Sequence, residues 1–247
     1  MTLRIAQWCT PRTVSTATLR SFVQRPDTEG VDEPFYAWYL RKTGKQHPMR
    51  EEVLASQPAD WVEVVEKVLL GPCGRPVQFV KHMAHHLVGG IDLSFAQGMV
   101  NTFLIREPRS MLPSLKKRIG EVRREDTGFS RMAELLRRFC GQGKPAIVVD
   151  SSDLLRDPPG ILAAYCRAVG LEFDPAMLSW PPGRHPCYGV WAPAWYGKVE
   201  NSRGFQAPES KEEPFPADLE PLLDWAQPLY DELHRHRLRA SGKEQVS

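Results

Sequence analysis

The sequence has little charge imbalance, few cysteines and no long apolar run. Lysine and arginine number 32 against 30 aspartate and glutamate, a net charge of +2. That excludes a general nucleic-acid footprint. No apolar run reaches the roughly 20 residues that span a bilayer. The N-terminus also lacks a cationic segment followed by an apolar signal core. The expectation is a cytoplasmic protein with no membrane partner. The five cysteines are odd in number and form no CxxC pair. This argues against a disulfide framework or zinc site and for a reducing compartment. The GxxxxGK[ST] phosphate loop is absent, and so are internal repeats and low-complexity segments. Nothing in the sequence speaks to oligomeric state.

What is present suits one domain spanning 1–247, with 240–247 as a frayed tail. The length allows a sizeable core, and the hydrophobic fraction of 42% is that of an ordinary globular protein. Apolar runs alternate with helical periodicity. Leu3–Trp8, Thr28–Val31, Val77–Val80, Asn101–Ile105 and Ala146–Val149 read as strands. Thr13–Val23, Pro108–Ile119, Phe129–Cys140, Pro158–Val169 and Ala217–Arg239 read as helices. Asp32-Glu33-Pro34 reads as the acidic start of another. Lys45–Pro58 carries no clear period, and Ala59–Leu70 has helical spacing. Such alternation predicts an α/β fold: a three-layer α/β/α domain with a mainly parallel central sheet and a P-loop-like strand–loop–helix. Ligands of such sheets bind beyond the carboxyl ends of the strands.

Three groups there can carry chemistry. The first is Thr10-Pro11-Arg12-Thr13-Val14-Ser15-Thr16, between the first strand and its helix. A helix N-terminus offers free N–H groups and partial positive charge, and Arg12 and the hydroxyls complete an anion cradle. The second is Arg106 at the end of a strand, with Ser114 two helical turns on, placed to grip a second phosphate. The third is Glu33 with Lys81, a carboxylate and a cation after two further strands. His82, His85 and His86 supply rival bases. A His-x-x-His pair alone completes no metal site, so no metal is expected. Aromatic residues between Trp180 and Tyr196 suit packing or a lid.

In combination these segments resemble the PAPS-dependent sulfotransferases. Thr10–Thr16 is similar to that family's 5′-phosphosulfate loop, with Arg12 and Val14 where lysine and glycine are usual. Arg106–Ser114 is similar to its 3′-phosphate motif, including the arginine-to-serine spacing. Val199–Phe205 looks like its late nucleotide-closing loop, and Met177–Tyr196 resembles a bacterial subgroup. The resemblance covers roughly residues 3–205 and implies PAPS as donor, PAP as product and a small-molecule acceptor. It places Pro11, Arg12, Thr13, Val14, Ser15 and Thr16 on the phosphosulfate. Arg106, Ser114, Arg203 and Gly204 would hold the 3′-phosphate. Glu33 stands where some members carry their base, with Lys81 for developing charge and His82 as the alternative base. Two other functions fit parts of the pattern: a P-loop small-molecule kinase, and a nucleotide-binding module without transfer activity.

Overall fold

The computed structural model describes residues 2–140, 145–207 and 214–240. Five strands form its sheet: β1 (Leu3–Cys9), β2 (Thr28–Asp32), β3 (Val77–Met83), β4 (Val100–Ile105) and β5 (Ile147–Asp150). Their order is β2-β3-β1-β4-β5, and every neighbouring pair is parallel. All carboxyl ends therefore lie on one edge, with β1 at the centre.

The side chains of each strand alternate between two buried faces. Ala6, Trp8, Val80, Phe103 and Val148 point into one core. There they meet the helices Pro108–Ile119, Phe129–Phe139 and Glu220–His234. Ile5, Cys9, Val77, Phe79 and Val149 point into the other. That layer holds α1 (Ser15–Phe22), α2 (Tyr36–Thr43) and the helix Pro158–Ala168. The expected three-layer domain is thus formed.

The differences from the sequence reading lie mostly around the sheet edge. β3 continues through Met83, so Lys81 and His82 lie within it. Their side chains take opposite faces because the strand alternates. Asp32-Glu33 does not cap a helix: Asp32 ends β2, Glu33 sits at φ 42, and α2 begins at Tyr36 without a side-chain cap. Lys45–Pro58 contains a helix, Arg50–Ser56. Trp61–Glu63 opens as α-helix and Val64–Leu69 widens to a π-helix. The last helix is a 3-10 turn, Ala217–Leu219, followed by Glu220–His234. Of the expected tail, 241–247 lies outside the described residues.

Candidate active site

The loop between β1 and α1 turns through Arg12, whose φ is 59. α1 begins after Val14, and no side chain caps its N-terminus. Its first N–H groups are thus left for an external acceptor. Thr13 Oγ1 donates to Thr10 O (3.0 Å), which ties the loop to itself. Among the described residues the buried Thr10 hydroxyl has no partner.

The two anion motifs meet at Arg12. Its Nε donates to Ser114 Oγ at 3.1 Å, and its carbonyl accepts from Arg106 Nη1 at 2.9 Å. Arg106 and Ser114, expected to share the 3′-phosphate, are thus both tied to the first loop. Burial lowers the proton affinity of Arg12, and repulsion from Arg118 and Arg106 lowers it further. Three guanidiniums gathered this closely at an uncapped helix end fit a polyanionic ligand.

Beside this loop lies a buried ionic network. Lys81 and Asp32 are register partners on β3 and β2, and Lys81 is 1% exposed. Its three N–H groups are shared among four acceptors, Tyr196 Oη (2.7 Å), Glu33 Oε1 (2.8 Å), Asp32 Oδ1 (3.0 Å) and, at the longest distance, Thr16 Oγ1 (3.2 Å). The last bond joins the network to α1. Burial alone would favour neutral lysine, but Asp32 and Glu33 more than offset it and hold the ammonium charged. Burial pushes the Glu33 carboxyl above its usual range, Lys81 pulls it back, and Asp32 pushes it up again. Glu33 therefore holds a proton more readily than a surface glutamate, as a general base does.

A cavity of about 630 Å³ opens between these groups. Arg12, Ser15, Thr16, Glu33 and Lys81 line it, and so do Tyr36, Tyr39, His47, His86 and Trp195. Its buried histidines are held neutral: burial takes His85 down to about 3 and His86 well below its ordinary value. His86 stacks on both Tyr36 and Tyr39. At the mouth, Arg118 hydrogen-bonds Ala194 O and lies 4.9 Å over the Trp195 ring. The aromatic late segment thus closes one wall.

Not every predicted residue joins this group. His82 points into the opposite layer, stacked on Trp8 and Phe35 with both ring nitrogens unpartnered. It does not line the cavity. The strand's period of two, applied through Met83, would have separated it from Lys81. Arg203 is exposed, and its carbonyl accepts from Trp180 N at 3.1 Å. Gly204 bridges Ser179, where a Cβ would stand 2.7 Å from Leu178 O. Neither lines the cavity, and the structure gives their stretch a clear backbone role. Asp32, Tyr196 and Arg118 were missed. Asp32 resembled a helix cap, and Tyr196 lies 163 residues from Glu33 in a stretch with no readable period.

Among curated proteins, the chain is 35% identical over 238 residues to branched-chain-amino-acid aminotransferase-like protein 1 of Arabidopsis thaliana. It is 33% identical over 238 residues to protein 2 of that name from the same plant. The alignments cover 96% of this chain but only 43% and 42% of those proteins. The chain thus spans less than half their length. Among solved structures, the sulfotransferase domain from the curacin biosynthetic pathway aligns with a TM-score of 0.54 at 13% identity. That alignment covers 91% of this chain and 97% of the other. The sulfotransferase domain from the Synechococcus PCC 7002 olefin synthase gives 0.50 at 16%, covering 91% and 94%. At such identities these likenesses establish the shared fold. The sequence itself matches the family model of the sulfotransferase domain over residues 3–237, and the chain belongs to that family.

Proposed function

We propose that the protein transfers a sulfuryl group from PAPS to a hydroxyl or amine of a small-molecule acceptor. The observation that carries this reading is one connected chain of contacts. Arg106 and Ser114 bind Arg12 in the anion loop, and Thr16 at the end of that loop binds Lys81, which binds Glu33. Arg12, Ser15 and Thr16 of the loop therefore line the same cavity as Glu33 and Lys81, and Arg106 and Ser114, outside that lining, join them through Arg12.

PAPS supplies the sulfuryl group: the sulfur bond to its 5′-phosphate oxygen breaks, with the electron pair leaving on PAP, as sulfur bonds to the acceptor. The loop N–H groups and the Ser15 and Thr16 hydroxyls hold the phosphosulfate. Arg12 neutralises charge gathering on the departing oxygen, and Arg106 takes the 3′-phosphate. Glu33 removes the acceptor proton from within the cavity. Lys81 stabilises negative charge at the sulfuryl oxygens from a preorganised position. The tyrosine and histidine rings beside Glu33 form the acceptor wall. Holding donor and acceptor together supplies much of the rate.

Glu33→Gln tests the reading. Calorimetry with PAP is expected to give wild-type affinity, because Glu33 lies outside the anion loop. Transfer of radiolabelled sulfur from PAPS to a panel of phenols, alcohols and amines should fall by roughly 100-fold or more. Undiminished transfer would move the base to His86 or His85.

A further inference from the structure

Two carboxylates face one ammonium in the buried network, and their surroundings differ. Asp32 is enclosed: its side chain is 1% exposed and every oxygen is engaged. Oδ1 accepts from Lys81 Nζ (3.0 Å), Oδ2 accepts from Gly189 N (3.2 Å), and Tyr196 Oη lies 2.9–3.0 Å from both. Glu33 is engaged on one side only. Oε1 meets Lys81 and Tyr196, at 2.8 and 3.0 Å. Among the described residues Oε2 accepts no hydrogen bond, His86 Nδ1 lies 4.0 Å from it, and Glu33 lines the cavity whereas Asp32 does not.

Tyr196 is constrained by its proton count. Trp191 Nε1 donates to its oxygen at 2.9 Å, and Lys81 Nζ donates at 2.7 Å. Both lone pairs are taken, so its single proton goes to one carboxylate, with Asp32 and Glu33 equally near.

We infer that Asp32 and Tyr196 are positioning residues for the transfer: Asp32 carries the counter-charge of Lys81 so that Glu33 Oε2 is left free as the base, and Tyr196 shares its one hydroxyl proton between the two carboxylates. This rests on Glu33 being the base. With Asp32 absent, Lys81 would pair with Glu33 alone and make it a poor proton acceptor. With Asp32 present, the cluster carries one surplus negative charge, and the unpaired oxygen of Glu33 takes the proton. When the acceptor proton arrives at Oε2, Glu33 no longer needs the Tyr196 hydrogen bond. The hydroxyl then rotates to Asp32 without any heavy atom moving. The groups facing Glu33 are Asp32 from β2, Lys81 from β3, His86 from the turn after β3, Tyr36 from α2, Cys9 from β1 and Tyr196 from the late segment.

The two roles push Glu33 in opposite directions, which makes them separable. Carboxyl-carbon NMR of the 247-residue chain, with the Glu33 signal assigned by its loss in Glu33→Gln, reads the Glu33 titration without donor or acceptor. In Asp32→Asn the midpoint is expected to fall by about one pH unit, because a neighbouring negative charge is gone. In Tyr196→Phe it should rise, because a donor to the ionised form is gone. An unmoved or raised midpoint in Asp32→Asn overturns the proposal, as does an unmoved or lowered one in Tyr196→Phe. Should Asp32→Asn fail to fold, Tyr196→Phe alone decides. A purely structural role would lower thermal stability and leave the midpoints in place. Turnover of Glu33→Gln separately decides whether Glu33 is the base, so the two readings fail in different experiments.

Discussion

His82 shows how one residue can suggest chemistry in sequence and perform packing in the fold. Its ring stacks on Trp8 at a centroid distance of 4.3 Å, and neither nitrogen finds a partner. Burial holds its pKa down at about 3, against 6.5 for a free histidine. The folded-state value is depressed, so the associated stability is fully present above pH 6.5 and is lost as pH falls toward 3. At pH 5 the unfolded chain gains about 2 kcal/mol by protonating this one ring. His82→Phe keeps the stack and removes the titration. Its loss of unfolding free energy between pH 7 and pH 5 should therefore be about 2 kcal/mol smaller than that of the wild type. Denaturant unfolding at the two pH values measures this; an equal loss would mean that the ring is solvated. His85 and His86 are depressed by burial in the same direction, so some acid sensitivity will remain. This is also where sequence reading reached its limit. A histidine beside Lys81 looks catalytic until the strand is known to continue past it.

At the scale of the element, the legible parts were those set by a local rule. β1, the loop and α1 followed from an apolar run, a turn proline and a hydroxyl cluster. The apolar strands and the helix Phe129–Phe139 followed from periodicity. Asp32 was not legible, because an acidic residue before proline has a strong local meaning as a cap. A pairing across 49 residues to Lys81 overrode it. Tyr196 joins two helices of a single turn, Ala192–Trp195 and Gly197–Glu200, too short to leave a period in the sequence. α1 itself makes a prediction. With no side chain capping it after Val14, its N–H groups are open to a ligand anion. Val14→Asp would place a carboxylate at that position, where the helix dipole favours it. The residue would then compete with, and repel, the phosphosulfate. PAP affinity measured by calorimetry should fall at least about tenfold, while the far-ultraviolet circular dichroism of the protein is unchanged. Unaltered affinity would place the nucleotide somewhere other than this helix end.

For the whole molecule, what matters is that the proposed anion site is assembled from distant parts of the chain. Arg12 follows β1, Arg106 follows β4, and Ser114 stands on the helix Pro108–Ile119. Global unfolding separates all three. A ligand that bridges them binds only the folded state and stabilises it by mass action. At a hundredfold excess over its dissociation constant, PAP should contribute about 2.7 kcal/mol. For a chain of this length that raises the melting temperature by roughly 5–10 °C. ADP has the same base and a 5′ anion but no 3′-phosphate, so it leaves Arg106 without its partner. A hydrogen bond to a charged group is worth about 1.5–3 kcal/mol, and at equal concentration ADP should stabilise correspondingly less. Arg106→Ala removes the residue that tells the two apart. In that variant the PAP shift should drop toward the ADP shift, while the ADP shift stays near its wild-type value. Scanning calorimetry of both proteins with both nucleotides measures all four quantities. Equal shifts by PAP and ADP in the wild type would remove the 3′-phosphate role from Arg106 and leave the β1–α1 loop as a generic phosphate site.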